Sequence, residues 1–317
     1  PSSVWCFSMN DVKKLISVCL RWAVLCALCI FVPCASFAIG SGDAFVVRKG
    51  QCVPLFISDG TSFKYDFGER GTNCYELDTV LPRGSFVKVI DIHGSVVHVF
   101  CKVSENYSLE GFIHRKFFDR SMKPMESSLF DSTDPSRDIL SLDEISGVFD
   151  SLLGSKVPFA WGCNNLQEVD LKELYEFTNS DGGDKQDIPY RCVGFDCSGL
   201  LHMISSWTLP HSMSQLYDFS KGQCLCELDA DSSDGELREA LASMLDTDFV
   251  VFGRRHPLGF DGHVLVYFRG GFIEARNYNL GVIYTGGSGA MDRLRGMTKR
   301  GKVRIIRWHP ELLGTAP

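Results

Sequence analysis

The stretch Gly194-Phe195-Asp196-Cys197-Ser198-Gly199-Leu200-Leu201 decides how the larger part of this chain folds. A Gly-aromatic turn followed by Ser-Gly and an apolar run predicts that Cys197 lies at the N-terminus of a helix. There the helix macrodipole and the free backbone N–H groups favour the thiolate and can donate to an oxyanion. The stretch therefore predicts a nucleophilic cysteine, against the commoner alternative of a buried structural thiol.

A thiolate nucleophile needs a base, and two later strands offer one together with an orienting group. His263 begins an apolar strand at 262–267, and Glu274 lies in the next strand, at 271–275. A helix cysteine, a strand histidine and a polar residue on the following strand, in this order, are typical of papain-like catalysis. The Glu274 carboxylate would fix the tautomer of His263 and stabilise its imidazolium. Asn277 takes this place if the register shifts.

The composition excludes two classes of protein. A hydrophobic content of 44% can build a core, which excludes a disordered chain. A net charge of -7 argues against a nucleic-acid binder, which needs a positive face. The Cys224-x-Cys226 pair and the acidic turn at 229–235 lack the ligand spacing of zinc and calcium sites. We expect no metal and no organic cofactor.

The N-terminus predicts an export signal at 1–38. Lys13 and Lys14 precede an apolar stretch at 22–32, and Ser36-Phe37-Ala38 provides small residues for a cut after Ala38. A membrane span needs about 20 apolar residues, so this stretch is too short for an anchor. Cleavage removes three basic residues and one acidic residue, which changes the net charge from -7 to -9. We expect an exported chain in the periplasm or cell envelope, without a membrane span.

Two domains are expected after the signal. Residues 39–120 read as all-β, because segments 86–92 and 95–103 are rich in Val, Ile and Phe around a His93-Gly94 turn. Short, evenly spaced strands of this kind build small β-barrels. Residues 121–137 lack periodicity and predict a linker. A capping box of Ser141 and Glu144 then opens a helix and a second domain, 138–317.

An ordered series of motifs between residues 149 and 308 resembles the NlpC family of bacterial cell-wall cysteine peptidases. The nucleophile motif at 194–200 and the base motif at 262–267 are similar to the family pattern throughout. The other motifs are Pro158-Phe159-Ala160-Trp161-Gly162, Leu209-Pro210-His211-Ser212 with Gln215, Asp248-Phe249-Val250-Val251-Phe252 and Phe272-Ile273-Glu274-Ala275. In the first domain, segments 81–89 and 111–113 resemble a bacterial SH3-like domain.

This resemblance implies an α+β fold, in which a papain-like domain of N-terminal helices packed on an antiparallel sheet follows a small SH3-like barrel. It implies hydrolysis of peptidoglycan stem peptides at the bond between D-glutamate and diaminopimelate. Cys197 would attack the carbonyl, His263 would act as base and then as acid, and Glu274 would orient it. The residues expected to bind substrate are Asp196 (through the free amine of the stem peptide), Ser198, Phe159, Trp161 and Ser212. We expect a monomer.

The sequence also departs from the family pattern. Glu274 stands where the family most often has histidine, Phe159 lacks the usual tyrosine hydroxyl, and His211 replaces an arginine. Residues 164–193 form an insertion between the first two motifs, with a helix-like first half at 166–177. The insertion could be a lid or a solvated excursion, and a disulfide between Cys163 and Cys192 would clamp it.

Two other functions fit the same residues. The first is a cell-wall amidase or acyl transferase that uses the same Cys197 and His263 pair. The second is a peptidoglycan-binding protein in which the changes at Phe159 and Glu274 have impaired catalysis.

Overall fold

The structure is a computed structural model that describes residues 38–312, apart from 61, 69–70, 75, 106, 171–175, 180–190, 222, 257–258 and 278. The chain divides into two compact units, Pro1–Ile39 and Gly40–Pro317. The predicted signal peptide lies outside the described residues except for Ala38, so it stays a prediction. No described helix is long and apolar enough to cross a membrane.

The first sheet has seven antiparallel strands and contains the segments predicted to be all-β. Its strands lie in the order β5-β2-β8-β7-β6-β1-β9. They are β1 (Ala44–Val47), β2 (Val53–Phe56), β5 (Leu77–Leu81), β6 (Phe86–His93), β7 (Val96–Ser104), β8 (Tyr107–His114) and β9 (Met122–Met125). In alternation along each strand, Val87 and Val89 of β6 and Val97, Val99, Cys101 and Val103 of β7 are buried, whereas Ile90 of β6 is exposed.

The second sheet joins the two halves of the chain. Its order is β11-β13-β10-β4-β3-β12. The strands are β3 (Ser62–Gly68), β4 (Gly71–Cys74), β10 (Phe159–Ala160), β11 (Asn164–Asp170), β12 (Glu176–Asn179) and β13 (Arg191–Phe195). Phe159 of β10 pairs in parallel with Gly71 on one side and Phe195 on the other. The first motif thus lies beside the strand that leads into the nucleophile motif.

The prediction of a helix at 166–177 is wrong. Residues 164–170 form β11, which pairs antiparallel with β13, and residues 176–179 form β12, which pairs with β3. The helix-like pattern reflects only residues that are close in sequence. The backbone hydrogen bonds of these segments are made with strands that are distant in sequence, which the pattern does not show. Because Asn164 lies opposite Phe195, the insertion leaves and re-enters the fold at one place, next to Cys197.

The third sheet carries the base motif and is covered by helices on both faces. Its order is β14-β19-β15-β16-β17-β18, with every pairing antiparallel. The strands are β14 (Cys224–Leu228), β15 (Phe249–His256), β16 (Gly259–Phe268), β17 (Gly271–Asn277), β18 (Gly281–Gly286) and β19 (Val303–Ile306). The fold is therefore mixed α and β, with antiparallel first and third sheets and a second sheet that also contains parallel pairs.

Seven helices complete the described chain. They are α1 (Lys116–Ser121), α2 (Ser127–Ser132), α3 (Leu142–Ser155), α4 (Cys197–Ile204), α5 (Met213–Ser220), α6 (Asp234–Ser243) and α7 (Ser288–Thr298). One face of the third sheet packs with α3 and α4 in a core that includes Phe149, Leu200 and Val266. The other face packs with α6 and α7 in a core that includes Leu265, Phe272 and Leu294.

The predicted capping box at the start of α3 is confirmed. The Ser141 hydroxyl accepts from the Glu144 N–H, and the Glu144 carboxylate accepts from the Ser141 N–H at 2.8 Å. The segment 121–137, predicted as a linker, holds both β9 and α2. Pairing of β9 with β1 supplies order that the sequence of this segment does not signal. The domain boundaries stay predictions.

Candidate active site

Cys197 is the first residue of α4, as the sequence predicts. Asp196 is the N-cap, and its carboxylate accepts from the Gly199 N–H at 2.6 Å and from the Gly162 N–H at 2.9 Å. The motif needs glycine at 199, because a Cβ there would lie 2.1 Å from the Cys163 carbonyl oxygen. This close approach holds the start of α4 against the first motif.

His263 and Glu274 are in contact between β16 and β17, and His263 lies inside β16 instead of at its predicted start. His263 Nε2 lies 2.6 Å from Glu274 Oε2. The pairing of Val266 with Ile273 places Glu274 diagonally across from His263 on the same face of the sheet. Because Nε2 faces the carboxylate, Nδ1 is the nitrogen left to exchange a proton.

Arg293 of α7 is a third member of this cluster, which the sequence analysis missed. Its Nε donates to Glu274 Oε1 at 2.8 Å and its Nη2 donates to Oε2 at 2.6 Å. The Glu274 side chain is fully buried. Burial acts to raise the pKa of Glu274, but hydrogen bonds from His263 and Arg293 outweigh it, so the net shift is downward. The carboxylate is thus ionised where it meets the imidazole.

Asn277, the alternative third residue, has another role. Its side-chain oxygen accepts from the N–H groups of Asn279 and Leu280 at 3.0 Å, which caps the turn between β17 and β18. The structure brings Glu274, and not Asn277, to His263.

The predicted lowering of the pKa of Cys197 is wrong for the free protein. Burial raises the pKa of the Cys197 thiol to about 12, and the charge of Asp196 raises it as well. The backbone N–H groups of Val264 and Ser198 act in the opposite direction, and the charge of Glu274 adds a smaller upward contribution. The sequence shows the helix terminus but not the burial of the sulfur. The contact with the Val264 amide places the sulfur beside the residue that follows His263.

A cavity of ≈ 300 Å³ opens at Cys197, and we call it the catalytic cavity. All five residues predicted to bind substrate line it: Asp196, Ser198, Phe159, Trp161 and Ser212. The first sheet contributes Ile57, Leu77 and Asp78 to the same wall. Ile57 and Trp161 are exposed apolar side chains at its edge, 59% and 44% accessible. Both halves of the chain therefore build this cavity.

A buried histidine, His211, also lines the catalytic cavity. His211 Nε2 is 3.1 Å from Asp196 Oδ1, and its Nδ1 is 2.8 Å from Thr79 Oγ1 of β5. Burial acts to lower the pKa of His211, but Asp196 and Asp78 outweigh it and the net shift is upward. Burial raises the pKa of Asp78, which faces this histidine. Neither partner of His211 could be found from the sequence, since Thr79 is 132 residues away.

The cysteines divide into one disulfide-bonded residue and several free thiols. Cys163 is disulfide-bonded. The side chain of Cys192, its predicted partner, lies outside the described residues, so this pairing stays a prediction. The described cysteines with a free thiol include Cys74, Cys101, Cys197, Cys224 and Cys226. No group of three or more His, Cys, Asp or Glu among the described residues is placed to hold a metal ion.

Comparison with known proteins gives structural neighbours only. No protein-family model and no curated protein matches the chain. One solved structure is an NlpC/P60 family protein from Bacillus cereus ATCC 10987, with 14% identity and a TM-score of 0.32, covering 85% of this chain. The chain spans 64% of the length of that protein.

Two further neighbours come from Trichomonas vaginalis. NlpC2 has 12% identity and a TM-score of 0.31 over 77% of this chain and 93% of its own. NlpC1 has 12% identity and a TM-score of 0.29 over 79% and 90%. These neighbours carry the family name that the sequence motifs resemble.

Proposed function

We propose that this protein is an exported NlpC-type cysteine peptidase that hydrolyses peptidoglycan stem peptides, at the bond between D-glutamate and diaminopimelate. The observation that carries the proposal is the contact between His263 and Glu274 beside Cys197 at the start of α4. A helix cysteine, a strand histidine and a buried carboxylate form the set that thiol acyl chemistry needs. The motif series supplies the family and the substrate class.

The arrangement assigns one role to each group. His263 takes the thiol proton of Cys197 on Nδ1, while Glu274 holds Nε2 and stabilises the imidazolium. The thiolate attacks the peptide carbonyl, and the first turn of α4 provides positive potential for the oxyanion. The imidazolium then protonates the leaving amine. Water, deprotonated by His263, hydrolyses the thioester and frees Cys197.

The raised pKa of Cys197 bears on this mechanism. A thiol whose pKa is about 12 holds its proton in the free protein. In the proposed mechanism the thiolate forms only as the proton moves to His263, which gives an ion pair instead of an isolated buried anion. The pair His263 and Glu274 is therefore essential to the proposal.

The charge of the catalytic cavity supports a substrate with a free amine. Asp196 and Asp78 both line the cavity. Asp196 Oδ1 is occupied by Gly199, Ser198 and His211, whereas Oδ2 accepts from Gly162. A carboxylate oxygen has two lone-pair sites, so Oδ2 can accept a second donor. The free N-terminal amine of a stem peptide could be this second donor to Oδ2.

The decisive experiment is mass spectrometry of peptidoglycan fragments after incubation with the wild type and with Cys197→Ala. We expect new amino termini at diaminopimelate with the wild type and none with Cys197→Ala. Cys226→Ala is the matched control, because Cys226 is another partly exposed free thiol, and it should cleave as the wild type does. Transfer of the acyl group to an added amine would favour an acyl transferase. Binding without cleavage would favour the impaired peptidoglycan-binding protein.

A further inference from the structure

A second cavity, of ≈ 680 Å³, shares no lining residue with the catalytic cavity. The end of β1, the turn between β5 and β6, and the segment that leads into α3 form its walls. We call it the basic cleft and define it by its cations, which are Arg48, Lys49, Arg83, Lys123 and Arg137.

The charge of the basic cleft is not balanced within the described chain. None of its five cations forms an ion pair with a described residue. Elsewhere, Arg269, Arg295 and Arg304 each pair with a carboxylate. The basic cleft contains two carboxylates, Asp138 and Glu144, and Glu144 is occupied by the capping box of α3. In a chain with a net charge of -7, this is a local concentration of uncompensated positive charge.

Arg137 is held in place before any anion arrives. Its Nε donates to the Val103 carbonyl at 2.9 Å, Nη1 to the Arg83 carbonyl at 2.6 Å, and Nη2 to the Ser85 hydroxyl at 3.1 Å. The guanidinium also lies 5.1 Å from the ring centroid of Trp207. All these partners are uncharged. Nη1 and Nη2 each keep one N–H group that is not used. Two such N–H groups on one guanidinium can bind the two oxygens of a carboxylate.

The lowered pKa of Arg137 agrees with a partly buried cation that has no anionic partner among the described residues. Burial and the neighbouring charge of Arg83 lower the pKa of Arg137 to about 10. Buried charges are ordinarily paired. The opposite wall adds a strained feature, since Ser206 and Trp207 have consecutive positive φ angles of 53° and 62°. Non-glycine residues rarely adopt this conformation, and it concentrates at functional sites.

We propose that the basic cleft binds carboxylates of the peptidoglycan polymer while the catalytic cavity holds one stem peptide. This inference rests on the proposed function, because stem peptides are the source of the carboxylates. Arginine and lysine around a concave surface suit an anion with several charges along a chain. Since the two cavities share no residue, both can be filled together. The protein would then prefer polymeric substrate to short soluble peptides.

Binding to insoluble peptidoglycan tests the proposal. The full chain with Cys197→Ala prevents cleavage, and the polymer is stripped of attached phosphate-containing polymers. We expect Lys49→Glu with Arg83→Glu to weaken cosedimentation about tenfold at low salt, and less at high salt because ions screen exposed charges. The matched control is Arg238→Glu with Lys299→Glu, two exposed cations outside the basic cleft. It should stay within about twofold of the parent.

Several results would overturn the proposal. Equal losses in the two double variants would indicate unspecific charge attraction, and no loss would remove the basic cleft from binding. If polyphosphate displaces the protein at a lower charge concentration than poly-L-glutamate does, the cleft selects phosphate instead of carboxylate. Should the charge reversals unfold the chain, Lys49→Gln with Arg83→Gln gives the same test with an effect of about threefold.

A second arm separates this proposal from the proposed function. The wild type is tested for cleavage of a short soluble stem peptide. If that peptide is cleaved and polymer binding does not change when the cations of the basic cleft are replaced, the cleft proposal alone is overturned. Polymer binding that depends on the basic cleft, with no peptide cleavage, would overturn the proposed function alone. Neither binding nor cleavage would overturn both.

Discussion

Two histidine–carboxylate pairs lie near Cys197, since the charges of Glu274 and Asp196 both act on its thiol. The pairs differ in which imidazole nitrogens remain free. His263 contacts Glu274 at 2.6 Å through Nε2, and its Nδ1 has no hydrogen-bond partner among the described residues. His211 contacts Asp196 at 3.1 Å through Nε2 and Thr79 at 2.8 Å through Nδ1. A histidine with both nitrogens engaged holds structure together, whereas one with a free nitrogen can move a proton.

The two carboxylates differ in the same way. Glu274 is held by the guanidinium of Arg293 as well as by His263, on an otherwise apolar face of the third sheet. Asp196 is held by backbone N–H groups as the N-cap of α4. In the proposed mechanism, the same pair of residue types therefore orients a base in one place, whereas in the other it fixes a helix terminus. The surrounding donors decide which.

The largest expected effect comes from Glu274→Gln. We expect kcat/KM to fall about 10³-fold, because a neutral amide no longer fixes the tautomer or stabilises the imidazolium of His263. Asn277→Ala is the control, and it should keep activity within about threefold because Asn277 caps a turn. Kinetics on a defined stem peptide measure both. A fully active Glu274→Gln would assign the orienting role elsewhere.

Alkylation of Cys197 tests the thiol between the two pairs. At pH 7 iodoacetamide should modify Cys197 about 10²-fold more slowly than free cysteine, because burial and the carboxylates Asp196 and Glu274 raise the pKa of the thiol to about 12. Mass spectrometry of labelled peptides over time gives the rate. Labelling as fast as free cysteine would show that His263 already holds the proton in the free protein.

Arg293→Gln sharpens the comparison by removing the arginine cation that contacts Glu274. We expect about a tenfold lower kcat/KM at neutral pH. The lost hydrogen bonds let the pKa of Glu274 rise, so the acidic limb of the pH–rate profile should move to higher pH. Arg295→Gln, in the same helix but paired with Asp234, is the control. An unshifted profile with reduced stability would make Arg293 merely structural.

His211→Gln should act on stability and not on turnover. The folded-state pKa of His211 is raised, so its contribution is complete below the ordinary histidine value and is lost as pH rises through the folded value. We expect a loss of about 1–2 kcal/mol in the free energy of unfolding at pH 5.5, and a smaller loss at pH 9.

Urea denaturation at both pH values provides the measurement for His211→Gln. His98→Gln, which breaks a partly exposed pair with Glu110, should cost less than about 0.5 kcal/mol. A pH-independent loss at His211 would mean that this histidine is neutral in the folded protein.

Local signals predicted many of the elements. The Ser141 capping box predicts α3, and the segments rich in Val, Ile and Phe around the His93-Gly94 turn predict β6 and β7 at nearly their observed bounds. The acidic segment after Asn164 was predicted as a helix and forms β11 instead, because its partner β13 lies across the insertion. A pattern of short range cannot identify such a partner.

For this protein the sequence alone determined where the candidate catalytic residues lie: Cys197 at a helix start, and His263 and Glu274 on neighbouring strands. These depend on helix capping and strand period, which act over a few residues. Only the tertiary structure decided the setting of these groups, through Arg293 on Glu274, His211 under Asp196, and the burial that raises the pKa of Cys197. Burial and charge contacts depend on every group packed nearby, and the chain brings those groups together only when it folds.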